Sequence, residues 1–92
     1  MRLSSRRIKI ELSRLGNWTR RGKVISRRFQ FSDFAEAMRF VNKVARLAES
    51  ANHHPDFTIN YNRVKLALTT HDEGGLTMRD FNLARRINKL VR

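Results

Sequence analysis

The sequence predicts an α+β fold: a single four-stranded antiparallel sheet with helices packed on one face, in the order α-β-β-α-β-β-α. Three observations lead there. Two pairs of short segments, one on each side of the chain's centre, alternate in polarity around tight turn residues and read as hairpins. The segment from Ser32 to about Ser50 repeats its apolar residues at three- and four-residue steps, the period of an amphipathic helix. Finally, 92 residues with no internal repeat, low-complexity tract or linker make one small domain, residues 1–92.

Each element has its own signal. Leu3, Ile8, Leu12 and Leu15 suggest a short N-terminal helix within a basic arm, about residues 1–15, stopped by Gly16. Trp18 to Arg21 and Val24 to Phe31 form the first strand pair around Gly22-Lys23. Ser32 is the expected N-cap of the long helix, with Asp33 in its first turn. Phe34, Ala37, Met38, Val41, Val44, Ala45 and Ala48 are its expected inner face, and it should end near Asn52 ahead of Pro55. Phe57 to Tyr61 and Arg63 to Thr70 form the second strand pair, with Val64, Leu66 and Leu68 buried. Gly74-Gly75 breaks the chain, and Thr77 caps a last helix with Phe81, Ala84, Ile87 and Val91 inward.

Composition narrows the function classes. There is no cysteine, which removes disulfides, thiol chemistry and thiolate metal sites. No run approaches the ~20 apolar residues of a membrane span, and MRLSSRRIKIEL lacks the apolar stretch of a secretory signal. A cytoplasmic protein with no membrane partner is expected. Twenty Lys and Arg against eight Asp and Glu give a formal charge of +12, concentrated in residues 1–28. Clustered cations are the footprint of nucleic-acid binding. Without a stacking platform or a recognition signature beside them, a solvated basic surface is the favoured reading.

The chemistry concentrates between Glu49 and Leu76. All three histidines, His53, His54 and His71, lie in this span beside several carboxylates. Free imidazole titrates near 6.5, so each ring can give or take a proton around neutral pH. The span looks like a proton-transfer site. Neither HExxH nor a Cys/His ligand set is present, so no metal is expected.

The register of these residues resembles the pterin-4a-carbinolamine dehydratases, also called the dimerisation cofactor family. Glu49, then His53-His54-Pro55, Tyr61, His71 and Asp80 stand at that family's spacings, and YNRVKLALTTHDEGGLT and FSDFAEAMRFVNKVA look like it too. The likeness covers about residues 16–90. The N-terminal helix is more basic than usual for the family, Phe57 stands where tryptophan is frequent, and Trp18 lies closer to the following strand.

The resemblance implies dehydration of 4a-hydroxytetrahydropterin to the quinonoid dihydropterin, which recycles the cofactor of aromatic amino-acid hydroxylases. One group must protonate the departing hydroxyl and another must accept the N5 proton, tasks suited to imidazoles. It implies His53 and His71 as the proton-transfer pair and His54 as a third site histidine that mainly holds substrate. Glu49 and Asp80 would support them, with Glu49 one turn before His53 and able to hydrogen-bond it. Pro55, Tyr61, Thr70, Asp72 and Glu73 would complete a substrate site with the histidines around one planar ring. Asp80 also has the spacing of a capping box with Thr77. The pterin is the substrate, no cofactor is implied, and the partner is a second copy in a homodimer or homotetramer. The alternative is a non-enzymatic adaptor whose basic N-terminal region contacts nucleic acid or an acidic protein.

Overall fold

A computed structural model describes residues 1–91. The elements run α1 (Ser5–Leu15), β1 (Thr19–Arg21), β2 (Val24–Gln30), α2 (Phe34–Ala51), β3 (Asp56–Asn60), β4 (Arg63–Leu68) and α3 (Met78–Lys89), with a short 3-10 turn at His71–Glu73 before α3. The strands form one antiparallel sheet in the order β1-β2-β4-β3. The expected architecture is therefore present, with β1, β2 and β4 one or two residues shorter than expected and β3 shifted one residue earlier.

The sheet has one buried face. Ile25, Phe29, Val64, Leu66 and Leu68 point into the core, where they meet Ala37, Phe40, Val44 and Ala48 of α2, Phe81, Leu83, Ala84 and Ile87 of α3, and Ile8 and Leu15 of α1. Alternation along β4 decides this, because residues of one parity share a face. Both hairpins turn in two residues, and in each the first has positive φ: Gly22 at 60° and Tyr61 at 51°. Glycine takes that conformation freely, whereas tyrosine is strained by it.

Details of α2 differ from expectation. Its N-cap is Asp33, whose carboxylate accepts from the Glu36 N–H at 2.8 Å. Ser32 lies one residue outside and donates both its hydroxyl and its N–H to the Glu36 carboxylate. The helix buries 37, 40, 44 and 48, so Phe34 is left 49 % exposed, Ala45 is exposed and Met38 is half-buried. Phe40, which the sequence pattern overlooked, takes the buried place and packs against Phe29 and Phe31 at centroid distances of 4.6 and 5.0 Å. The helix ends at Ala51 with Asn52 in the left-handed conformation, φ 50°. Val91 lies beyond the end of α3 and is 37 % exposed rather than inward.

The basic N-terminal residues are not a free arm. Ser4 caps α1, and its buried Glu11 accepts from Arg7 at 2.9 Å and from Arg85 of α3. Trp18 donates its Nε1–H to Asn88 Oδ1 at 2.7 Å, an oxygen that also accepts from Arg27. These contacts tie α1 and β2 to the last helix.

Candidate active site

The end of α2, the start of β3, the end of β4 and the start of α3 meet in one corner. The left-handed Asn52 turns the chain out of α2, and the His53 N–H donates to the Ala48 carbonyl at 3.1 Å. Pro55 follows, buried, and biases His54 to extended backbone before β3. Antiparallel pairing of Asp56 with Ala67 brings the end of β4, and hence Thr70 and His71, to the same end of the sheet as His53.

Asp80 is the hub of this corner and is fully buried. One carboxylate oxygen, Oδ1, lies 2.5 Å from His53 Nε2. The other, Oδ2, accepts from the Thr70 hydroxyl at 2.8 Å and from the Thr77 N–H at 3.0 Å. The Thr77 hydroxyl accepts in turn from the Arg79 N–H, completing a capping box for α3. Thus one carboxylate caps a helix and holds an imidazole. An ionised carboxylate only accepts hydrogen bonds, so the contact puts the His53 proton on Nε2. Nδ1 is left as the ring nitrogen without a hydrogen bond. Among the described residues no buried side-chain nitrogen or oxygen lacks a partner, so Nδ1, which makes no hydrogen bond, reaches the surface. His53 itself is 8 % exposed and lines a hollow of about 200 Å³ with Ala51, Arg79, Asn82, Leu83 and Arg86.

The other expected residues are arranged differently. Glu49 bonds His54, not His53: its Oε2 lies 2.5 Å from His54 Nε2, and both side chains are more than half exposed. They stand five positions apart, and the left-handed turn at Asn52 swings His54 back beside the helix while His53 goes inward. His71 is exposed in the 3-10 turn and makes no side-chain hydrogen bond among the described residues. Neither His54 nor His71 lines the His53 hollow, so the three rings do not share one closed cavity.

Thr70 is 1 % exposed, and its carbonyl accepts from Glu73 and Gly75 N–H groups, so its polar atoms are spent inside the protein. Asp72 pairs with Arg79 at 2.9 Å, and Glu73 pairs with the N-terminal amine at 3.1 Å. Gly74 has φ 72°, which lets the chain leave the 3-10 turn. Tyr61 stands at the β3–β4 turn, the opposite end of β3 from His53, and is 66 % exposed. Among the described residues no group of three His, Cys, Asp or Glu side chains is placed to hold a metal ion, and no helix is long and apolar enough to cross a membrane.

Sequence reasoning missed Arg79, Asn82 and Arg86, which surround His53. Their three- and four-residue spacing on α3, next to Asp80 and Leu83, is the signal that could have found them.

The sequence model of the family described as Pterin 4 alpha carbinolamine dehydratase matches residues 1–90. A Thermomicrobium roseum protein named "Putative pterin-4-alpha-carbinolamine dehydratase" is 52 % identical over 90 residues, covering 98 % of this chain and 97 % of its own. An Acidobacterium capsulatum protein of the same name is 55 % identical over 89 residues, covering 97 % of each. The crystal structure of a "transcriptional coactivator/pterin dehydratase" from Brucella melitensis superimposes with a TM-score of 0.95, at 35 % identity and over 100 % of both chains.

Proposed function

The chain belongs to the pterin 4 alpha carbinolamine dehydratase family, and on that premise we propose that it dehydrates 4a-hydroxytetrahydropterin to quinonoid dihydropterin and water. The supporting observation is the buried His53–Asp80 pair, whose free Nδ1 reaches the surface while Asp80, Thr70 and Thr77 behind it are buried. A carboxylate that fixes tautomer and ring direction is what a proton-transferring imidazole needs.

The reaction breaks the C4a–O bond and the N5–H bond. One imidazole protonates the 4a-hydroxyl, which leaves as water instead of hydroxide. The other accepts the N5 proton as the new double bond forms between N5 and C4a. In this reading His53 and His71 are the two carriers, and exchange with solvent restores both. His71 has no side-chain partner among the described residues, and exposed rings change rotamer in picoseconds to nanoseconds, so it is free to turn onto a bound heterocycle. His54, paired with Glu49, holds the substrate, with Pro55 fixing its backbone. Asp80 is a positioning residue, acting through His53. The pterin is the substrate, and the chemistry asks for no cofactor.

A homodimer or homotetramer fits the same reading. β1 and β3 are exposed sheet edges with unpaired backbone groups, an arrangement that favours pairing with another strand.

Stopped-flow dehydration of chemically prepared 4a-hydroxytetrahydropterin tests the reaction. His53→Ala and His71→Ala should each lower turnover by about 10²-fold or more. Wild-type turnover in both variants would defeat the assignment. A second reading, an adaptor, is favoured by the name of the Brucella melitensis protein, which pairs coactivator with dehydratase. Absence of any dehydration by the wild-type chain would turn the balance to it.

A further inference from the structure

The face of the sheet turned away from the helices carries a chemistry of its own. Register places Arg28 directly opposite Lys65 and Gln30 opposite Arg63, while Thr58 and Asn60 of β3 face Lys65 and Arg63 from the other side. These six side chains line one open hollow of about 570 Å³. Like charges directly across a strand pair repel each other. Among the described residues Arg28, Arg63 and Lys65 have no carboxylate within 4.0 Å to offset that repulsion. None of the six side chains makes a hydrogen bond among the described residues. Arg21 extends the same face on β1, and the acid on this face, Asp56, sits at the far end of β3 from Asn60.

We propose that this helix-free face binds the phosphate backbone of a nucleic-acid duplex. A concentrated row of cations, flanked by amide and hydroxyl groups, is the set that contacts phosphate and sugar oxygens. Strand geometry sets the backbone positions that carry them about 4.8 Å apart across the sheet and about 6.7 Å apart along β4, so the cations rise from one two-dimensional array. The face carries no aromatic side chain on which an unpaired base could stack, which favours a duplex over a single strand. It also carries no large exposed apolar residue to enter a lipid surface. The site is separate from the His53 corner, and its fate does not depend on the dehydration chemistry.

Titration of a fluorescent DNA duplex with the full chain, followed by anisotropy at several salt concentrations, tests this. The triple variant Arg28→Gln, Arg63→Gln, Lys65→Gln should reduce the slope of log affinity against log salt by about 3, near 0.9 for each phosphate no longer neutralised. A control of equal charge, Arg6→Gln, Lys9→Gln, Arg46→Gln, lies on exposed positions outside the face and should leave the slope within about one of wild type. Should the triple variant fail to fold by circular dichroism, Lys65→Gln alone should remove about one from the slope. No binding at low salt, or equal reductions in face and control variants, overturns the proposal. Capture of phosphatidylserine vesicles as strongly as DNA, through the same three residues, overturns the assignment to nucleic acid.

Discussion

Replacing Asp80 by Asn changes few atoms but removes the one group that defines the state of His53. The native carboxylate accepts at both oxygens: from His53 Nε2 at 2.5 Å, and from Thr70 Oγ1 and the Thr77 N–H at 2.8 and 3.0 Å. An amide has one accepting oxygen and one donating nitrogen. The Thr77 N–H can only donate, so the amide oxygen must stay on that side, and the amide nitrogen then faces His53. His53 can accept there only by moving its proton to Nδ1. Nδ1 therefore becomes a donor instead of an acceptor. The stability cost should be modest, about 1–2 kcal/mol, because each hydrogen bond is replaced by a weaker neutral one. The cost to turnover should be far larger, on the order of 10²-fold or more, the usual scale of a general acid or base. Asp80→Ala strands both the Thr77 N–H and the His53 ring and should lower stability by about 3–5 kcal/mol. The assay pairs stopped-flow dehydration with nitrogen NMR of the imidazole, which reports the tautomer directly. Asp80→Asn with wild-type turnover, or with the proton still on Nε2, would refute the reasoning.

Further outcomes follow from other parts of the structure. Burial acts to raise the Glu11 carboxyl, but hydrogen bonds and charges from Arg7 and Arg85 outweigh it and hold the group below its ordinary 4.5. A carboxyl depressed on folding stabilises above its unfolded pKa, and that contribution is lost as pH falls through the folded value. The thermal midpoint should therefore drop as pH goes below 4.5, and Glu11→Gln should flatten that part of the profile while lowering stability by about 1–3 kcal/mol at neutral pH. An unchanged profile in the variant would remove Glu11 as the cause. Tyr61→Gly should leave stability unchanged or raise it by up to about 1 kcal/mol, since glycine relieves the left-handed φ of 51°; a clear loss by chemical denaturation would mean that the exposed ring has a partner. Sedimentation at micromolar concentration should show a homodimer or homotetramer, and a monomer throughout that range would count against pairing at the open strand edges.

Much of this was open to inspection in the chain itself. Hydrophobic period and turn residues are local properties, so the order of elements, the buried parity of β4 and the stop of α2 at Asn52 followed from sequence. The spacing of Glu49, His53, His54, His71 and Asp80 identified the family before any coordinate was known. The capping relation of Thr77 and Asp80 was equally local.

What the sequence could not settle depends on rotation and on side-chain direction. Seven apolar residues of α2 marked its inner face by period alone, and only docking on the sheet kept 37, 44 and 48 from that set, added Phe40 and left Phe34 in solvent. Glu49 lies within reach of either adjacent histidine by count alone. The left-handed backbone at Asn52 sends His53 inward to Asp80 and His54 outward to Glu49. The basic N-terminal residues formed one block in the chain, yet folding divided them between a helix clamped by Glu11 and the open side of the sheet. Periodicity carries along one segment, whereas a hydrogen bond between residues 27 positions apart, like that of His53 and Asp80, exists only once packing has brought their elements together.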